Sequence, residues 1–222
     1  MVLRGVFVTG TDTGVGKTAV CAALMHRYRG DGSLRYWKPI QTGVEQDDDT
    51  REVTALGACS ADEVFTGGIR LPHPLSPHLA ARLNGTTIGI PALVQQIDGD
   101  LERNAWIVEG AGGVLVPLNG SQMMIDFMVM LDLPVIVTAR STLGTINHTL
   151  LTVEALRRRE LDVAGIVMVG DRNDENRAAI ERYGDVTVIG EMPRFAQLTP
   201  PALADWAARG LDRDGRLLER LR

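Results

Sequence analysis

The sequence predicts one α/β domain, residues 1–222, built on a doubly wound parallel sheet with helices on both faces. Three observations predict it. Short apolar runs alternate with longer amphipathic ones along the chain, the β-α order of that class. Several short runs, such as Val135-Ile-Val and Ile166-Val-Met-Val, are apolar without a break, which marks strands buried on both faces. The first strand run ends in a glycine-rich loop that opens into a helical pattern. No repeat, low-complexity tract or linker divides the chain, and 222 residues suit one large domain.

The first strand is expected over Gly5–Thr9 and the first helix over Lys17–Arg29. Between them stand Asp12, Thr13, Gly14, Val15, Gly16, Lys17, Thr18 and Ala19. Backbone N–H groups of such a loop and of the helix start point inward, and the helix dipole favours an anion. Lys17 would then reach the β- and γ-phosphates of a nucleoside triphosphate, and the Thr18 hydroxyl would ligate Mg²⁺. The usual pattern has four residues between its first Gly and Gly-Lys-Thr. Here five residues separate Gly10 from Gly16, and Thr11 stands at the expected Gly position. The strand–loop–helix context favours a phosphate-binding loop of the P-loop NTPase type over a plain Gly-rich turn.

The second strand, Leu34–Pro39, carries Lys38 out at its end. Lys38 is either an ordinary edge residue or a second cation aimed at a transferring phosphoryl group. The run Asp47-Asp48-Asp49 precedes a helix expected over Thr50–Leu56. It reads as a solvated turn or as hard oxygen ligands for Mg²⁺, with the binding residue left open. Residues Cys59 to His78 are loop-rich, either a rim over a site or a connection. Helices follow over Pro77–Asn84 and Pro91–Arg103.

The third strand, Ala105–Glu109, ends in a carboxylate followed by Gly110-Ala-Gly-Gly113. An unpaired acid at the last buried position is costly, so Glu109 is expected to face a metal. The four small residues would let backbone approach a ligand. Helix Gln122–Leu131 and strand Pro134–Thr138 come next, then helix Thr145–Glu160. Ser141, Thr142 and Thr145 are candidate caps for that helix, whose start is alternatively an anion site. His148, within it, reads as structural. Strand Val163–Val169 ends in Gly170-Asp171, helix Asn176–Tyr183 follows, and strand Thr187–Ile189 leads to Pro193. These late loops commonly surround the base in such folds. A helix over Pro201–Arg209 and a mixed-charge surface helix from Asp212 to Arg222 complete the reading.

Hydrophobic residues make up 45% and charged residues 23%, ordinary for a globular protein. A net charge of -5 gives no general reason to expect nucleic acid. No apolar run reaches membrane-spanning length, and with the first strand expected so near Met1 no targeting extension is expected. Cys21 and Cys59 have no metal spacing and suggest no disulfide framework; Cys21 reads as a small core residue, and a reducing cytoplasm is expected.

Taken together, these residues resemble the dethiobiotin synthetase family of biotin biosynthesis. The resemblance covers nearly the whole chain. It rests on Thr9-Gly-Thr-Asp-Thr-Gly-Val-Gly-Lys-Thr18, Lys38-Pro-Ile-Gln-Thr-Gly43, Ser76-Pro-His78, Val108-Glu-Gly-Ala-Gly-Gly113, Leu143-Gly-Thr-Ile-Asn-His148 and Gly190-Glu-Met-Pro193. The five-residue loop spacing is that family's own variant. The resemblance implies a homodimeric, Mg²⁺- and ATP-dependent enzyme that makes dethiobiotin from 7,8-diaminononanoate and CO₂ through a carbamate and a mixed anhydride.

The resemblance assigns Lys17, Lys38 and Thr13 to catalysis, and Asp12 to Ala19 with Gly170, Asp171 and Pro193 to the nucleotide. It assigns Thr18, Glu109 and Asp49 to Mg²⁺, with Asp48 as the alternative to Asp49. Thr13 and Thr42 would face the carbamate, and Gly112, Gly113, Val116 and Pro117 would line the diamine. Leu143, Gly144, Thr145 and Asn147 would receive the substrate carboxylate across a dimer interface. One position departs from the family. Gly170 stands where some relatives carry an Asn that reads adenine, so another triphosphate is a candidate substrate beside ATP.

Three other classes fit less well. A partitioning-type switch ATPase carries a signature lysine where this chain has Asp12. An amide-forming synthetase with a glutaminase domain needs a nucleophilic Cys motif that is absent from these 222 residues. A non-catalytic nucleotide-binding module has no need of Lys38 and Glu109 beside Lys17.

Overall fold

The computed structural model describes residues 3–31, 33–97 and 104–221. Nine strands and eight helices of the described residues are β1 (Arg4–Gly10), α1 (Lys17–Tyr28), β2 (Leu34–Trp37), β3 (Ile40–Thr42), α2 (Asp49–Leu56), β4 (Val64–Phe65), β5 (Ile69–Leu71), α3 (Pro77–Leu83), α4 (Ile90–Gln95), β6 (Ala105–Gly113), α5 (Met124–Leu131), β7 (Val135–Arg140), α6 (Thr145–Arg157), β8 (Val163–Val169), α7 (Asp174–Gly184), β9 (Val188–Met192) and α8 (Pro200–Gly210).

Seven strands form one parallel sheet in the order β4-β2-β6-β1-β7-β8-β9. Side chains alternate across it. Phe7 enters one core, with Trp37, Trp106, Phe127, Val153 and Ile180. Val6 and Val8 enter the other, with Val20, Leu24, Val53 and Leu203. The sheet is thus covered on both faces, which is why its strands read as unbroken apolar runs. The chain leaves β1 toward one edge and later returns to build toward the other. The crevice at the carboxyl ends of β1 and its neighbours is where such sheets hold ligands.

Several details depart from the sequence reading. The strand expected over Leu34–Pro39 stops at Trp37 because Pro39 has no N–H for a ladder. The chain then forms β3, which pairs in parallel with β5 as a separate two-stranded sheet. The stretch read as loop between Cys59 and His78 therefore contains β4 and β5. β6 runs past Glu109 to Gly113. There the fold itself uses the small residues: a Cβ on Gly110 would lie 2.8 Å from the Phe7 ring. The end of the helix expected over Pro91–Arg103 lies outside the described residues.

The expected C-terminal surface helix is not formed. Among the described residues only Leu218–Arg220 make a short helical turn, and Leu217 and Leu221 are buried. The reason is Asp212. Its buried carboxylate accepts hydrogen bonds from the Tyr28 hydroxyl and from the backbone N–H groups of Arg216 and Leu217, which folds the chain back over α1.

Candidate active site

A cleft of about 850 Å³ opens at the carboxyl ends of β1, β2 and β6. Its floor is the loop between β1 and α1. Gly16 takes φ 98° there and begins α1 with no side-chain cap, so the first N–H groups of the helix stay free for an anion. Thr13, Gly14, Gly16, Lys17, Thr18 and Ala19 line the cleft, while Val15 is buried beneath it. Asp12 turns away. Its carboxylate accepts from the Thr13 N–H at 2.7 Å and lies 3.4 Å from Arg140, which also donates to the Thr13 carbonyl.

Strand register brings the charged groups together. Trp37 pairs with Val108 in the β2–β6 ladder, which sets Lys38 beside Glu109. Val8 pairs with Glu109 from the other side. Lys38 Nζ lies 2.8 Å from Glu109 Oε1 and 2.5 Å from Asp49 Oδ2, and it donates to the Gly110 carbonyl at 3.1 Å. Thr18 Oγ1 lies 3.1 Å from both Asp49 Oδ1 and Glu109 Oε1. One hydroxyl and two carboxylates therefore converge.

The run of three aspartates divides by geometry. Asp48 is the N-cap of α2 and accepts from the Arg51 N–H at 3.1 Å. Asp49, the first residue of α2, turns into the cleft. Asp47 and Glu52 offer oxygens within 4.8 Å of one another and of Asp49.

These environments set the protonation states. Burial alone would lower the Lys38 ammonium, but Glu109 and Asp49 outweigh it and push its pKa up to about 12. Burial would raise Asp49, yet the Lys38 charge and hydrogen bond hold it below the usual carboxylate range. Lys17 is lowered by burial and then by the Lys38 charge, and its ammonium donates to the Asp12 carbonyl at 3.0 Å. Burial, with the Glu109 charge adding, pushes the Tyr36 hydroxyl and the Cys21 thiol well up.

Thr42, Gly112 and Val116 also line the cleft, opposite Pro74, Leu75 and Ser76 of the segment after β5. That segment is a rim. Gly113 lies outside the main cleft against Gly10, and Pro117 accepts from the His78 N–H. Leu143, Gly144, Thr145 and Asn147 do not line the cleft. Leu143 projects fully into solvent. α6 starts after a left-handed Gly144 with no side-chain cap, so the hydroxyls of Ser141, Thr142 and Thr145 do not cap it. Gly170, Asp171 and Pro193 also lie outside the main cleft, and the Gly170 N–H donates to the Met192 carbonyl at 2.9 Å, which joins their two loops.

A family model described as an AAA domain matches residues 4–202. An ATP-dependent dethiobiotin synthetase of Paramagnetospirillum magneticum is 47% identical over 202 residues, which cover 91% of this chain and 94% of that protein. One from Agrobacterium fabrum is 43% identical, covering 88% of this chain and 89% of that one. The chain belongs to the dethiobiotin synthetase family. Among solved structures, a ParA family ATPase of Chlorobium tepidum matches with a TM-score of 0.57 at 11% identity, covering 93% of this chain and 98% of that one. The MinC:MinD complex of Aquifex aeolicus matches with a TM-score of 0.51 at 13% identity, covering 99% and 94%. At these identities the likeness concerns the parallel α/β fold alone.

For a dethiobiotin synthetase fold, three features of the site were not singled out by sequence. Tyr36 donates to Glu109 Oε2 at 2.8 Å; its position two residues before Lys38, on the same strand face, was the available signal. Glu52 stands three residues after Asp49, a spacing that puts both on the cleft side of α2. Ser141 packs under Gly170, a contact between β7 and β8 ends that local pattern does not reveal.

Proposed function

We propose that this cleft is the active site of an ATP-dependent dethiobiotin synthetase, which closes the cyclic urea of dethiobiotin in biotin biosynthesis. One observation carries the reading: Lys17, Thr18, Lys38, Asp49 and Glu109 meet at one sheet end in a chain 47% identical to a protein of that name.

The reaction runs in three steps. One amine of 7,8-diaminononanoate adds to CO₂ and loses a proton, giving a carbamate. A carbamate oxygen attacks the γ-phosphorus of ATP; the bond to the bridging oxygen breaks, and ADP leaves with its electron pair. The second amine attacks the carbonyl carbon of the mixed anhydride, loses a proton and closes the ring, and phosphate departs. The protein forms no covalent bond, so position and charge balance supply the catalysis.

The residues fit those demands. Lys17 lies at the helix start and Lys38 across from it, so their ammonium groups would neutralise charge moving from carbamate to γ-phosphate. The Thr13 and Thr42 side chains would bond the carbamate. Gly112, Gly113, Val116 and Pro117 would bound the alkyl chain of the diamine. The oxygens of Thr18, Asp49 and Glu109 form a hard donor set that suits Mg²⁺. Bound there, Mg²⁺ would offset the charge of the triphosphate.

The substrate carboxylate would meet the uncapped start of α6, at Leu143, Gly144, Thr145 and Asn147, on a partner subunit. A homodimer would also cover the apolar side chains of Leu115, Leu143 and Leu151, all exposed in the single chain. The base would lie between the Gly170-Asp171 loop and Pro193. A side chain cannot be restored at 170 without rearrangement: φ is 131°, and a Cβ would lie 2.4 Å from Ser141 Oγ. Triphosphates other than ATP would therefore serve. The enzyme would work in the cytoplasm; among the described residues no helix is long and apolar enough to cross a membrane.

The test is incubation with ATP, Mg²⁺, isotopically labelled bicarbonate and 7,8-diaminononanoate, with mass detection. Dethiobiotin carrying the label is expected. Product without the label, or no product from folded enzyme, contradicts the reading.

A further inference from the structure

Glu109 is fully buried, and its carboxylate has two oxygens to satisfy. Oε1 faces Thr18 and Lys38. Oε2 faces the opposite way and accepts from the Tyr36 hydroxyl at 2.8 Å. The last torsion of a glutamate is broad, so its own stereochemistry does not choose which oxygen points where. A grip on both oxygens does.

The residue supplying that grip is unusual for its place. β2 is a buried strand, and Leu34 and Trp37 meet its packing needs with apolar surface. Tyr36 is also fully buried, and a buried hydroxyl costs free energy unless it is bonded. Its hydroxyl donates to Glu109. A phenylalanine would fill the same volume without that demand.

We infer that Tyr36 is a positioning residue: its hydroxyl fixes the rotation of Glu109 so that Oε1 is presented toward Thr18 and the cleft. The inference rests on the reading of Glu109 as a metal-facing acid. Outer hydrogen bonds of this kind orient metal-binding carboxylates. Tyr36 itself is fully buried and does not line the cleft.

The experiment compares wild type, Tyr36→Phe, Glu109→Gln and the double variant by Mn²⁺ titration with saturating ATP, followed by electron paramagnetic resonance. Steady-state kinetics and thermal unfolding are measured alongside. Tyr36→Phe is expected to bind Mn²⁺ about tenfold more weakly. Its kcat should fall while KM for ATP changes little. The double variant should bind Mn²⁺ no more weakly than Glu109→Gln, because Tyr36 acts through Glu109. Unchanged Mn²⁺ affinity in Tyr36→Phe, or additive losses in the double variant, would reduce Tyr36 to a packing role and overturn the inference. If Glu109→Gln alone leaves Mn²⁺ affinity intact, the metal reading fails and the inference falls with it.

Discussion

Lys38 Nζ stands 2.8 Å from Glu109 Oε1, with both groups buried at neighbouring strand ends. The same ammonium is 2.5 Å from Asp49. One lysine thus pairs with both carboxylates that converge on Thr18. A buried ion pair adds little net stability, but losing one partner leaves the others uncompensated.

Replacing Lys38 by Met should therefore do two things. kcat should fall roughly 10²–10³-fold, the scale for removing one preorganised charge stabiliser. Without metal, the variant should also lose about 3–5 kcal/mol of stability, because two carboxylates face each other unpaired. Added Mg²⁺ should raise its unfolding temperature more than that of wild type. Calorimetry with and without Mg²⁺ checks this, and equal shifts would count against the shared site.

The pair also sets a pH dependence. The folded pKa of Lys38, about 12, lies above its ordinary value of 10.5. A raised lysine pKa contributes stability in full below the unfolded value and loses it as pH climbs through the folded one. In metal-free buffer, the stability gap between wild type and Lys38→Met should stay flat from about pH 6 to about pH 9 and close above about pH 10.5. Denaturant titration across that range measures it.

Base selectivity should be weak. With glycine at 170 and no adenine-reading side chain there, kcat/KM for CTP and GTP should lie within about tenfold of ATP, far from the 10⁴-fold set by a hydrogen-bonding pocket. Gly170→Asn should not create ATP preference. It should cost about 1–3 kcal/mol, since φ 131° and the Ser141 hydroxyl both oppose a Cβ. Strict ATP dependence in wild type would contradict this account of the base site.

The C-terminal turn should be a stability element. Tyr28→Phe removes one of three donors to the Asp212 carboxylate and should cost about 1–3 kcal/mol. Asp212→Ala should cost more, because it orphans all three and places Ala at φ 45°. Chemical denaturation measures both, with turnover per folded enzyme unchanged.

Leu151→Asp puts a charge on the exposed face of α6. If two copies meet there, sedimentation should show a shift to monomer, with loss of diamine saturation and little change in ATP binding.

Much of this was legible in the chain. The motif around Lys17 fixed the strand, loop and helix, and continuous apolar runs marked the strands because the sheet is covered on both faces. What stayed hidden was non-local. Asp48 and Asp49 look alike in sequence, and only the start of α2 turns one into a cap and the other into the cleft. β4 and β5 are too short to carry a period. The mixed charge after Asp212 resembles a surface helix, and its fold depends on a tyrosine far back in the chain. Tyr36 stands in a short buried strand, and only the pairing of β2 with β6 brings its hydroxyl to Glu109.

The most direct test of the central claim is phosphate release from Mg²⁺-ATP in bicarbonate, with and without 7,8-diaminononanoate. The account predicts release that depends on the diamine, with phosphate and dethiobiotin formed in equal amounts. Release at the same rate without the diamine, and no dethiobiotin, would contradict it.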